Sequence, residues 1–226
     1  NCVAHVNIDS IGAIGADHFK TNAMAETFGL CRWAVREAAG AELHMKRVGR
    51  NSDQSFCGIG IPALLGSVSR NPEQKPDLGW WWHTPEDALD KVDPDRLVRD
   101  TGIFLRAIER LLTDPVLPLD YAASAEDIAA NLADLNEAAG GRFDLTPALT
   151  AVERLHRACL RLNDAAREAA PGAGSAALNG VLQDLGRILI PATYTLSGRH
   201  GHDPAVDYGF LPGLQPVRRL ADPNLD

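Results

Sequence analysis

The stretch GWWWHTPEDALDKVD, Gly79 to Asp93, sets three consecutive tryptophans before a histidine and then a run of residues that suit a helix start. Three large rings in succession match neither the alternation of a half-buried strand nor the stripe of a surface helix. The stretch therefore reads as a packed aromatic wall with His83 held at its edge. Three roles fit a histidine held in that way: metal ligand, general base, or satisfied core residue. Behind it, Glu86 and Asp87 suit an acidic first turn, where negative charge meets the helix dipole favourably.

The stretch ends at the clearest helix in the chain. Asp93 is placed as an N-cap with Pro94 at the first helical position. Leu97, Val98, Thr101, Phe104, Leu105, Ile108, Leu111 and Leu112 then recur at helical spacing as far as Thr113. Upstream, Val3, Val6 and Ile8 mark a short, largely buried strand over Cys2 to Ile8. Asp9 stands at its end, where open α/β sheets carry their chemistry. Asn22 to Ala39 reads as a helix closed by Gly40, AELHMKRV as another strand, and Pro62 as the entry to a buried strand in GIGIPALLGSVS. Residues 1–114 are thus an α/β unit.

TDPVLPLDYA breaks the pattern with two prolines and reads as a connector. Beyond it the composition shifts to alanine, leucine and arginine. Three amphipathic stretches follow: Ala125 to Ala138, Pro147 to Ala170 and Ser175 to Ile190. Residues 115–226 are accordingly a helical bundle with an irregular tail from Gly198. The sequence shows no internal repeat and no phosphate-cradling glycine loop.

At 226 residues the chain can bury a core. A formal net charge of −8 argues against a nucleic-acid backbone or an anionic membrane as partner. No apolar run is long enough to span a bilayer. Cys2, Cys31, Cys57 and Cys159 form no C-x-x-C pair and read as mostly buried thiols. The opening NCVAHVNIDSIG lacks an initiator methionine and reads at once as a strand, so the natural start is expected upstream.

Asp9 and His83 are the two candidate metal residues, since carboxylate and neutral imidazole are both good zinc ligands. A turn aspartate and a core histidine are the alternative. Asn51, Ser52 and Asp53 in NSDQSF suit either an Asx-type turn or the lining of a site. RHGHDPAVDYGFLPGL brings His200, His202, Asp203 and Tyr208 into one loop, where H-x-H is a possible metal motif or the segment folds back over a cleft. His5, His18, His44 and His156 show no partner pattern.

HVNIDSIG, NSDQSFCGIGIPALL and WHTPEDALDKVD, in this order and with these separations, resemble the second half of the zinc-dependent exopeptidase domain shared by bacterial aminopeptidases and the glutamate carboxypeptidases. LNGVLQDLGR and the tail RHGHDPAVDYGFLPGL more loosely resemble the dimerisation domain that glutamate carboxypeptidase II shares with the transferrin receptor. The resemblance implies half of a mixed-sheet α/β sandwich followed by a helical dimerisation domain. It implies that Asp9 ligates one zinc of a two-zinc site and His83 the other. Asn51, Trp82 and Tyr208 would line the substrate site, Trp82 standing where the carboxypeptidases tend to have tyrosine. Asp207 takes the place of a lysine beside the substrate carboxylate, which disfavours a C-terminal glutamate and makes a free amino terminus the better target.

In that family an H-x-D motif, a bridging carboxylate and a Glu-Glu pair precede the strand that bears the aspartate, and none lies in this sequence. The chain alone is therefore expected to hold zinc weakly or not at all and to be inactive. The complete protein is expected to be a homodimeric exopeptidase acting on peptides, from a periplasmic or secreted location among the possibilities. A receptor or scaffold of the transferrin receptor type, or an interaction domain whose sheet another chain completes, is the alternative.

Overall fold

The computed structural model describes residues 2–49, 56–196 and 209–221, which are mixed α/β and mostly helical, with small sheets. Chain order explains the layout. His5–Val6 (β1) is followed by His18–Ala23 (β2), in which Phe19, Thr21 and Ala23 point inward and Lys20 and Asn22 are only part-buried. Phe28–Ala39 (α1) crosses over and stops at Gly40, whose left-handed conformation (φ 62°) closes the helix. His44–Arg47 (β3) then pairs parallel with β2, from Lys20 opposite His44 to Ala23 opposite Arg47.

The next two strands lie in one stretch of chain. Ala63–Leu64 (β4) pairs parallel with β1, and Ser69–Arg70 (β5) pairs antiparallel with β2. Between them the Lys20 amide donates to Val68 O (3.1 Å) and the Met24 amide to Ala63 O (3.1 Å). Residues 63–70 therefore run between β2 and β1 and join the two ladders into one layer. Pro94–Thr113 (α2) packs beside α1 on that layer, with Asp93 accepting from the Asp95 and Arg96 amides at its start.

Tyr121–Ala138 (α3), Thr146–Glu168 (α4) and Ala173–Tyr194 (α5) follow, and a ten-residue run of 3-10 turns spans Pro212–Ala221. Both hydrophobic clusters draw on either side of residue 114. One joins Leu30, Val35, Leu64, Ile103 and Phe104 to Tyr121 and Leu182; the other joins Met24, Val48 and Ala63 to Ile128, Leu135 and Ile190. The two halves also meet backbone to backbone. A Cβ on Gly60 (φ 73°) would lie 2.3 Å from Arg187 Cα, so only glycine fits against α5 there. Among the described residues no helix is long and apolar enough to cross a membrane. Cys31, Cys57 and Cys159 are buried free thiols, and Cys2 is exposed.

Three readings of the sequence change. Paired strand near the amino end is confined to His5–Val6 rather than Cys2–Ile8, because only that dipeptide aligns with β4. Asn22 and Ala23 belong to β2, not to the first helix. A 3-10 turn, Ala25–Thr27, intervenes, and the helix begins at Phe28. The acidic segment behind His83 is not a helix start but a series of tight turns with a 3-10 turn at Leu89–Lys91. The capping carboxylate that nucleates the helix is Asp93.

Asp100, on the inner face of α2, is fully buried. It accepts from Ser69 Oγ (2.6 Å), the Gly12 amide (2.9 Å) and Arg99 Nε (2.9 Å). Removing Asp100 leaves the buried Ser69 hydroxyl and Gly12 amide without an acceptor, while Arg99 keeps Asp17 and Ala16 O, and breaking a buried charged cluster costs about 3–5 kcal/mol. Asp100→Ala is expected to lower the unfolding free energy by that amount in equilibrium urea titration, and Ser69→Ala, which removes one bond to the carboxylate, by a smaller amount of about 1.5–3 kcal/mol; equal losses in the two variants would remove Asp100 as the centre of the cluster.

Candidate functional site

Two loops carry the candidate ligands, and backbone bonds fasten one to the other. Beyond β1 the chain turns through Asp9 and Ser10. The Gly12 carbonyl then accepts from the Asp93 amide (2.8 Å), and the Ile14 amide donates to Lys91 O (3.1 Å). Ala13 and Val92 form an antiparallel bridge. A Cβ on Gly12 (φ 75°) would fall 2.7 Å from Leu97 Cβ, so glycine lets this loop lie directly on α2. The loop that bears Asp9 and the loop that bears His83 thus share one anchorage at the start of α2.

The tryptophans do not form a uniform wall. Trp81 is buried at 5% exposure, tucked against Gly79, where a side chain would collide with its indole; Trp80 is 54% exposed and meets Trp81 edge to face at 5.8 Å. Trp82 is part-buried, and its ring stacks on His83 with centroids 3.7 Å apart and planes 20° from parallel. His83 itself is exposed. Of the three roles read for this residue, the satisfied core histidine does not fit its exposure.

Local turns fix the loop beneath the imidazole. Thr84 Oγ1 donates to Trp81 O (2.6 Å) and accepts from the Glu86 amide (3.2 Å). His83 adopts a left-handed backbone conformation, φ 61°, which costs an ordinary residue about 1–2 kcal/mol. Asp9 is exposed and accepts from Ser10 Oγ (3.0 Å), and Ser10 is likewise left-handed, φ 48°. Four non-glycine residues among those described have positive φ, and two of them are at or next to the predicted ligands. Strain of this kind clusters where a side chain must be aimed.

The donor types at Asp9 and His83 suit zinc, and both side chains face solvent. Their number does not make a site. Among the described residues no three histidine, cysteine or acidic side chains come together, whereas catalytic zinc takes about three protein ligands. Asn51 and Tyr208, the other predicted substrate contacts, lie outside the described residues, as do Ser52, Asp53, His200, His202, Asp203 and Asp207. His18 and His44 stack on each other at 5.3 Å, His5 meets Phe56 edge to face, and His156 Nε2 lies 3.0 Å from Glu126 Oε1.

Two buried carboxylates escaped the sequence reading. Asp100 is one; its only sequence signal is an acid on the apolar side of a helix. Glu26 is the other, an acid inside the apolar run Ala23–Phe28. It is 3% exposed, accepts from Ser124 Oγ (2.5 Å), and its Oε1 has no hydrogen-bond partner. Burial pushes its carboxyl above the usual glutamate range, and the Ser124 bond offsets part of that shift. Conversely, hydrogen bonds from Arg96 hold Asp17 down to about 2.

No protein-family model matches this chain, and no curated protein matches it significantly.

Replacing His83 by glycine removes the backbone strain together with the ring. His83→Gly is therefore expected to keep or raise stability, by up to about 1 kcal/mol, while β-branched His83→Val lowers it. Urea unfolding of the two variants reads this, and a clear loss in the glycine variant would mean that the Trp82 stack, not the backbone, holds the loop.

Glu26 gives a pH dependence whose sign follows from its raised pKa. The folded state favours the neutral acid, so its contribution is complete below the ordinary glutamate range and is lost as pH rises through the raised value. Unfolding free energy should fall over that interval in the native chain and stay flatter in Glu26→Gln. Parallel pH profiles for the two proteins would remove Glu26 from the account.

Proposed function

We propose that these 226 residues are the carboxy-terminal portion of a two-zinc metallo-exopeptidase that removes terminal residues from peptides. A free amino terminus is the preferred target. The observation that carries this reading is the presentation of His83: an exposed imidazole on a strained backbone, stacked on Trp82, in a loop fastened to the one that bears Asp9. Solvent-facing donors of two metal-compatible types, each at or beside a left-handed residue, support ligand roles better than structural ones. In enzymes of this class paired zinc ions make a water nucleophilic at neutral pH and polarise the scissile carbonyl. From this chain Asp9 would hold one ion and His83 the other, with Trp82 fixing the imidazole plane and Asn51 and Tyr208 facing substrate. The remaining ligands and the glutamate base belong to polypeptide outside this sequence.

The specific fold under this reading is the second half of an exopeptidase sandwich, carrying a transferrin receptor-like helical domain. The parallel β1–β4 and β2–β3 ladders with helices α1 and α2 support it. Dimerisation through the helical part finds support in α5, where Val181 and Ile188, two turns apart, are both exposed. A two-fold pair is the commonest closed assembly.

Zinc analysis tests the incomplete ligand set. The purified 226-residue chain is expected to retain clearly less than two zinc ions per protomer after gel filtration, whereas two tightly held ions would refute it. In the complete enzyme, His83→Ala is expected to abolish aminopeptidase activity while the dimer persists in sedimentation. Normal turnover would leave the scaffold reading, with fold and dimer but no catalysis, as the better account.

A further inference from the structure

Glu26 is fastened to α3 by its backbone and by its side chain. From the 3-10 turn Ala25–Thr27 its carbonyl accepts from the Asp120 amide (2.8 Å) and its Oε2 from Ser124 Oγ (2.5 Å). Its Oε1 is left without a partner among the described residues, although Glu26 is only 3% exposed. Glu26 and Ser124, the two ends of one bond, both line a cavity of about 10 Å³, the room of a single water-sized group, so the carboxylate stands at its wall. Asp127 on α3, Thr193 and Tyr194 on α5, and Phe210 from the carboxy-terminal segment also line it. Thr193 Oγ1 donates to Leu189 O (2.9 Å), which leaves its own lone pairs free to accept. The polar side-chain atoms of this lining are all oxygens.

A buried carboxylate is tolerable only when its lone pairs and its charge are met. Ser124 fills one oxygen, and the charge has no counterpart of its own. Arg47, on β3, is committed to Asp127: its Nε donates to Oδ2 (3.1 Å), a second guanidinium nitrogen donates to Oδ1, and the group lies over the Phe210 ring at 3.8 Å. Asp127 and Arg47 thus cancel. Asp120 uses its carboxylate on the α3 cap and on Asn163. Burial, and after it the Glu26 charge, pushes the phenols of Tyr121 and Tyr194 up, so neither adds a charge; Cys159 near the first and Cys57 near the second are buried thiols. What is lacking is a single positive charge, in room for a single small group, among oxygen donors. A proton supplies it by neutralising Glu26, and a monovalent cation supplies it with Glu26 ionised. A divalent ion would bring an excess charge into the interior, and it asks for about six or more oxygens.

We propose that this cavity is a monovalent-cation site: potassium or sodium is held by Glu26 Oε1, with the Ser124 and Thr193 hydroxyl oxygens as neutral ligands, in competition with a proton on Glu26. Oxygen donors suit hard ions of this kind, and the low dielectric of the interior strengthens the attraction to the carboxylate. The ion fastens four segments at one point. The 3-10 turn brings Glu26, α3 brings Ser124, and α5 brings Thr193. The carboxy-terminal segment is held to the same place, since the Leu211 amide donates to Thr193 O (2.9 Å) and Phe210 meets Tyr194 edge to face at 5.4 Å. The site shares no residue with the Asp9 and His83 loops and stands whether or not the exopeptidase reading holds.

Urea unfolding of the 226-residue chain in potassium, sodium or choline chloride at equal ionic strength reads the site, choline being too large for the cavity. Above the raised Glu26 pKa, the unfolding constant is expected to fall by about tenfold for each tenfold rise in potassium or sodium once the site fills, as one ion bound only by the folded state requires. In acid, with the proton in place, that dependence should vanish. Glu26→Gln, neutral at every pH, should fold and show no dependence on the cation. Equal stability in the three salts at alkaline pH overturns the inference and leaves the cavity to water. A dependence that Glu26→Gln retains, or that calcium alone produces, overturns it as well. If the variant does not fold, anomalous diffraction from crystals of the unaltered chain grown in rubidium chloride takes its place: an ion peak beside Glu26 sustains the site, and a peak only elsewhere, or none, overturns it.

Discussion

The Asp100 carboxylate holds together the part of this molecule that carries Asp9 and His83. Sited on α2, it ties down the Gly12 amide from the loop after β1, Ser69 from β5, and Arg99, which in turn donates to Asp17 and to Ala16 O. A charge with no exposure to solvent is tolerable only when its lone pairs are filled. Each filled lone pair here fixes a different segment. Gly12 can be drawn so close to α2 only because it has no Cβ, and its carbonyl then anchors Asp93, the residue that caps α2. Sheet, helix start and the loops that bear Asp9 and His83 are referred to one buried group. The position of Asp9 relative to the His83 loop is thus a property of the core rather than of two independent surface loops.

What the sequence revealed depended on whether a local pattern had a rival. The long helices were plain because apolar spacing and caps agreed: Asp93 and Pro94 start α2, Gly40 ends α1, and the connector prolines separate α2 from α3. Strand β2 was hidden because HFKTNA alternates correctly but runs straight into Met24–Phe28, whose apolar residues extend the helical pattern backwards. Thr and Pro after His83 imitate a helix start, yet Thr84 spends its hydroxyl on Trp81 O and the Glu86 amide within a turn, and Asp93 does the capping nine residues later. Which of two cap-like sequences nucleates is decided by what each packs against.

The candidate site was legible as residue types and not as an environment. Asp9 and His83 were singled out for chemistry alone, and nothing in the sequence distinguished an exposed His83 from a core one. The distinction came from its neighbour: Trp81 occupies the interior against Gly79, which turns His83 outward and leaves Trp82 to stack on it. Three identical side chains in a row therefore take three different environments. Similarly, Asp100 and Glu26 are acids among apolar residues, and only the partners reached across the fold separate a structural carboxylate from an exposed one.

The strained backbone positions at Ser10 and His83 share one anchorage. Ser10 and His83 hold backbone conformations that an isolated turn would relax, and both lie in loops clamped by the α2 start. The Gly12–Asp93 clamp, the packing of Trp81 on Gly79 and the Thr84 bond to Trp81 O together hold the loop whose backbone carries that strain. Where Asp9 and His83 stand is thus set by the core that Asp100 ties together, and the strain at Ser10 and His83 is borne by that core rather than relieved within the loops.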